Sequence, residues 1–131
     1  MLPLRLVPGD DLRAALVATA REQHWLAAFV ISGIGSLSHA RLRLAGHSDF
    51  VELGGDLELL TLAGTLSPDG PHLHASLADA TGRVIGGHVG PACVVRTTAE
   101  ILIVEASAWR LERAPDATTG YHELVIHRRR L

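Results

Sequence analysis

The sequence predicts an α+β fold: a largely antiparallel β-sheet of seven or more strands with one main amphipathic helix. Three observations lead there. Only one stretch, near the N-terminus, repeats its apolar residues at helical spacing. The rest divides into short apolar or alternating runs, the pattern of strands. Between those runs stand Gly, Pro and Asp clusters of hairpin length. The 131 residues are read as a single domain, 1–131, long enough to bury a core without disulfides. Hydrophobic residues make up 47%, which excludes a disordered chain, and aromatics only 4%, so Leu, Val, Ile and Ala must fill the core.

In order, Leu2 to Val7 form a first strand that Pro8-Gly9 breaks. Asp10 is the expected N-cap, and Asp11 complements the helix dipole. Leu12, Ala15, Leu16 and Ala20 then mark a helix over about Asp11 to Gln23. Leu26 to Ile31 is a buried strand, which Ser32-Gly33-Ile34-Gly35-Ser36 ends; alternation resumes to Leu44. Phe50 to Leu53 and Leu57 to Leu66 read as two strands with Gly54-Gly55-Asp56 as their turn. Pro68-Asp69-Gly70 is the next turn, since Pro presets one torsion and Gly permits positive φ. His72 to Leu77 and Arg83 to Val89 form a hairpin around Ala80-Thr81-Gly82. Val94 to Glu105, Trp109 to Glu112 as an edge, and Tyr121 to His127 complete the strands.

Charge and composition narrow the function classes. All twelve cations are Arg, against fourteen acidic residues, for a formal net charge of -2. A nucleic-acid module normally carries a basic excess or stripe. Here only His127-Arg128-Arg129-Arg130 is basic, and such a run reads first as a solvated tail. The lone Cys93 excludes an intrachain disulfide and fits a cytoplasmic setting. The first residues do not read as a signal peptide, and no apolar run reaches the roughly 20 residues that cross a bilayer. No membrane partner is expected.

The chemistry concentrates in His72, His74 and His88. Alternation puts His72 and His74 on one face of a strand, with Leu73, Ala75 and Leu77 on the other. With the following turn centred on Thr81, Leu77 opposes Ile85 and His74 opposes His88. Direct neighbours sit roughly 5 Å apart at Cβ and diagonals about 7–8 Å. Three imidazoles thus converge on one face, close enough to share a metal ion with an open fourth position. Zinc is the first expectation; nickel, iron and copper accept the same ligands. Gly86 and Gly87 are expected to leave ligand space beside the cluster, or to mark a bulge that shifts this register. A single such histidine would be read as a wet sheet face; three in this arrangement favour a metal or anion site.

The run His72-x-His74-Ala75-Ser76-Leu77-Ala78-Asp79-Ala80-x-Gly82-x-Val84-Ile85-Gly86-Gly87-His88 resembles the core motif of the PPC, or plants and prokaryotes conserved, domain. Ser32-Gly33-Ile34-Gly35-Ser36-Leu37, Leu62-x-Gly64-Thr65-Leu66, Thr98-Ala99-Glu100 and Arg113-x-x-Asp116-x-x-Thr119-Gly120-Tyr121-x-Glu123-Leu124 agree in order with further parts of that family. The resemblance implies a homotrimer. Stand-alone bacterial and archaeal members often carry a DNA-binding label given by analogy. In plants an AT-hook grips DNA, and this sequence has no Arg-Gly-Arg-Pro hook. The plant partner-contact block Gly-Arg-Phe-Glu-Ile-Leu is here Gly55-Asp56-Leu57-Glu58-Leu59-Leu60, with Asp56 reversing the Arg charge.

Three functions follow as expectations. One is a trimeric binding or regulatory module with a metal or small ligand at the histidines. The second, by distant analogy to acetolactate decarboxylase, is a metal-dependent enzyme on a small carbonyl or carboxylate substrate. In it Glu100 moves a proton and Arg113 holds a carboxylate, against the plainer reading of both as a structural ion pair or a solvated edge. The third is direct DNA binding, which a Lys-free chain of this charge supports weakly.

Overall fold

Two strands longer than their glycine punctuation suggests organise the structure, a computed structural model that describes residues 1–130. The elements run β1 (Leu2–Leu6), α1 (Leu12–Glu22), β2 (Ala28–Arg43), β3 (Phe50–Ser67), β4 (Gly70–Ala78), β5 (Val84–Val89), β6 (Val94–Glu105), β7 (Trp109–Pro115) and β8 (His122–Arg128). Six strands form one antiparallel sheet in the order β1-β6-β2-β3-β4-β5, and β5 also returns to pair with the far end of β2. The sheet therefore curls into a partly closed barrel. β7 and β8 form a separate two-stranded sheet. The α+β expectation and its single helix match this architecture.

The two expected breaks at glycine are bulges instead. β2 continues through Gly33 and Gly35, with register shifts against β6 on both sides. A Cβ on Gly35 would run into the Thr98 carbonyl, so glycine lets β6 pass close by. β3 likewise continues through Gly54 and Gly55: Leu37 pairs with Leu57, and His39 with Gly54, which places one extra residue in β3. Gly55 has φ +103°, which few other residues adopt. Pairing with β2 on both sides of the bulge holds the chain extended.

The helix cap is also shifted by one residue. Asp11, not Asp10, is the N-cap, and its Oδ1 accepts the Ala14 N–H at 2.9 Å. Asp10 accepts the Val7 N–H instead. The helix buries Leu12, Leu16 and Ala20 against the sheet. Inside the curl lie Leu37, Leu59, Leu62, Leu73, Leu77 and Ile103, all almost fully buried. Trp25 and Cys93 join the same core. No helix is long and apolar enough to cross a membrane among the described residues.

Candidate metal centre

The β4–β5 hairpin has an uninterrupted register: His74 pairs with His88, Ala75 with Gly87, Ser76 with Gly86 and Leu77 with Ile85. Its turn is held by one carboxylate. Asp79 Oδ1 accepts from the Thr81 hydroxyl (2.6 Å), the Thr81 N–H (2.9 Å) and the Arg83 N–H (3.1 Å). Those donors, the Thr81 hydroxyl foremost, hold the Asp79 carboxyl below the usual range. Leu73, Ala75 and Leu77 point into the core, so the histidines must point out.

On that outer face the three rings meet. Centroids lie 4.9 Å apart for His72–His74, 5.2 Å for His72–His88 and 5.7 Å for His74–His88. One nitrogen from each ring lies within 4.8 Å of the others. His72 Nε2 and His74 Nε2 are 3.1 Å apart. His88 Nδ1 is buried and has no hydrogen-bond partner. Burial, followed by the Arg113 charge, pushes His72 below its ordinary pKa. Burial, followed by the neighbouring His72 and Arg43, lowers His88 to about 4. Both shifts favour the neutral ring that metal ligation needs, and one buried nitrogen, His88 Nδ1, stands unsatisfied. That donor set fits a borderline cation such as zinc.

Two further regions enclose the cluster. Arg43, at the end of β2, pairs directly with His88 across the β2–β5 seam. The β7–β8 hairpin brings Arg113, Tyr121, His122 and Glu123. With Arg43, His72 and His88 these residues line a cleft of about 800 Å³. Arg113 Nη2 donates to His72 Nδ1 at 3.0 Å and to Thr65 Oγ1 at 3.2 Å. The hairpin is tied down by the Arg113 N–H on Asp69 Oδ2 (2.8 Å), by the Leu111 N–H on the Leu26 carbonyl (3.0 Å), and by buried Leu111.

The structure thus brings Arg113 to the histidines and leaves Glu100 away from them; Gly86 and Gly87 adjoin His88 on β5 without lining the cleft. Glu100 is exposed on β6, paired with Arg5 and Ile34, and lines a separate depression with Pro3 and Leu4. β2 and β3 stand between β6 and β4, which separates Glu100 from the cluster. Gly86 and Gly87 line no part of the cleft. A Cβ on Gly87 would come within 2.7 Å of the Arg43 carbonyl, so this glycine lets β2 and β5 close, and the space it leaves holds backbone. Arg43 and His122 carry no site role in the sequence reading, and Tyr121 and Glu123 enter it only as positions of the family's closing segment. Arg43 shares the outward alternation of His39 and Arg41, a signal that was present. The other three depend on where the β7–β8 hairpin docks, which no local pattern encodes.

A curled antiparallel sheet with one helix and three imidazoles on an outer hairpin defines a small α+β domain with a candidate metal centre. A family model for the Plants and Prokaryotes Conserved (PCC) domain matches residues 1–107, and the chain belongs to that family. It is 50% identical over 126 residues to a "Bifunctional protein GlmU" of Synechococcus sp. (strain JA-3-3Ab), covering 96% of this chain and 20% of that protein. The chain therefore spans about one fifth of the length of the curated relatives it matches. The structure of a hypothetical protein from Salmonella cholerae-suis superposes with a TM-score of 0.95 at 40% identity, covering 98% of this chain and 93% of that one. The metal-containing protein AF0104 from Archaeoglobus fulgidus superposes with a TM-score of 0.79 at 29% identity, covering 95% and 91%.

Proposed function

We propose that this chain is a binding module whose His72, His74 and His88 hold one divalent metal ion, and that a small molecule binds beside it. Zinc is the first choice of ion, with nickel and iron as alternatives. The carrying observation is three imidazoles with ligand atoms within 4.8 Å, two of them pushed toward the neutral form by burial and nearby positive charge. The similarity to a metal-containing archaeal protein supports it. When bound, the ion supplies a Lewis acid with an open coordination position. The chain's own groups orient what enters: Arg113 and Arg43 offer guanidinium donors, and Glu123 a carboxylate, at the cleft.

The module is read as a cytoplasmic homotrimer. Phe29, Ile31 and Ile34 are exposed along β2, an apolar stripe of the kind that self-association covers. Phe29 pairs with Thr65, which pairs with His72, so the stripe runs up to the centre. DNA binding has less behind it: Arg41 and Arg96 are engaged with Glu52 and Asp56, and the net charge is -2.

Action on a small carbonyl or carboxylate substrate is the second reading. Arg113 against His72 favours it, and Glu123 replaces Glu100 as the nearby carboxylate.

Metal analysis of the purified chain tests the main reading. It predicts one divalent ion per chain, lost in His88→Ala. A chain that carries no metal and takes up neither zinc, nickel nor iron contradicts it.

A further inference from the structure

The hydrogen bond between Arg113 and His72 has a consequence for any ion at the centre. A guanidinium is always a donor and never an acceptor. His72 Nδ1, 3.0 Å from Arg113 Nη2, must therefore be the ring's lone-pair nitrogen. Because Nδ1 accepts, the ring's single proton sits on Nε2, from which it donates to His74 Nε2 at 3.1 Å. A neutral imidazole has only one lone pair in the ring plane. Arg113 uses it.

A metal ion needs that same lone pair. If the ion takes Nδ1, it displaces Arg113 directly. If it takes Nε2, the ring proton moves to Nδ1, and Nδ1 becomes a donor facing a donor. Through either nitrogen, ligation of His72 breaks the Arg113 bond. The guanidinium then keeps Thr65 but loses its ring partner.

Its surroundings say what can replace that partner. Among the described residues neither Arg113 nor Arg43 forms an ion pair. Arg43 makes one long bond of 3.4 Å to the His47 carbonyl. Of the two carboxylates lining the cleft, Asp69 already accepts the Arg113 backbone N–H, and Glu123 pairs with neither arginine. A loaded centre thus adds a cation to a cleft with two uncompensated guanidiniums, and a planar two-pronged donor matches a carboxylate.

We infer that Arg113 is a coupling residue: metal ligation at His72 releases its guanidinium, which then binds a small carboxylate in the cleft together with Arg43. This rests on the metal reading above and adds the linkage between ion and carboxylate. Metal and carboxylate must each raise the other's affinity by the same factor.

The test uses the full chain, zinc and acetate. Zinc uptake is measured by calorimetry with and without acetate, in wild type, Arg113→Met and Arg43→Met. The imidazole protons of His72 are assigned by nitrogen-detected NMR in the metal-free and zinc-loaded forms. Expected are a proton on Nε2 without zinc and a changed protonation pattern with it, with a shift of the Arg113 guanidinium resonances. Acetate should tighten zinc binding in wild type, and much less in either variant. Arg113→Met should bind zinc about tenfold more tightly without acetate, because one charge-assisted hydrogen bond no longer has to break. No zinc uptake in any form overturns the metal reading and this inference with it. Zinc uptake with the Arg113 resonances unmoved, or with acetate coupling at wild-type strength in Arg113→Met, overturns the inference and leaves the metal reading standing.

Discussion

Two hairpins build the site, and they are built differently. The β4–β5 hairpin is part of the barrel wall: one face buries Leu73, Ala75 and Leu77, and the other presents the histidines. The β7–β8 hairpin is a sheet of its own, laid beside the cleft and fastened by Leu111 and by two of its backbone N–H groups, one on the Leu26 carbonyl and one on the Asp69 carboxylate. Val125 and Ile126 on β8 are exposed. The first hairpin fixes ligand atoms to the core. The second supplies Arg113 and Glu123, whose partners can change without disturbing the barrel. Rigid donors on one side and adjustable charges on the other suit the proposed order of binding, an ion first and a ligand second.

The contrast can be broken most forcefully in the core. Leu77→Ala, at a fully buried position of β4, should cost about 2–5 kcal/mol in urea unfolding. Val125→Ala on β8 should stay within about 0.5 kcal/mol. Equal losses would mean the two hairpins are equally structural. Next in size, His88→Ala should weaken zinc binding by more than about a hundredfold in calorimetry, since even indirect partners of a ligand matter by 10–100-fold. Tyr121→Phe, on the second hairpin, should leave zinc affinity unchanged.

Gly87→Ala sharpens the assignment of that glycine to the barrel seam. Its Cβ would press on the Arg43 carbonyl, at a cost of about 1–3 kcal/mol in unfolding. A neutral effect would put the glycine back beside an open pocket.

A further effect is a pH dependence of the metal-free chain. His72 and His88 have folded pKa values below the ordinary 6.5, with His88 at about 4. Between those values the unfolded chain holds more protons, so stability is complete above about 6.5 and falls as pH drops toward 4. His88→Gln should flatten that slope in denaturant titrations at pH 7 and pH 5. An unchanged slope would show that burial does not keep the ring neutral.

Much of this was legible in the sequence, for physical reasons that differ by residue. The histidine register followed from strand alternation and a turn centred on Thr81, because a tight turn fixes its own pairing. The strand boundaries at Gly33–Gly35 and Gly54–Gly55 were not legible. A glycine pair permits either a turn or a bulge, and only distant pairing with β6 and β2 chooses between them. Arg113 stood in a segment resembling the family's closing part, yet its contact with His72 depends on how β7–β8 docks. Glu100 failed as a neighbour because sheet order, which sequence spacing does not state, puts two strands between it and β4.

The proposed centre has three imidazoles sharing one ion. A zinc-edge X-ray absorption spectrum of the zinc-loaded chain tests that directly. Three imidazole nitrogens at about 2.0–2.1 Å are predicted, with one imidazole lost in His74→Ala. A shell of oxygens with fewer than three imidazoles, or a spectrum unchanged by His74→Ala, would contradict it.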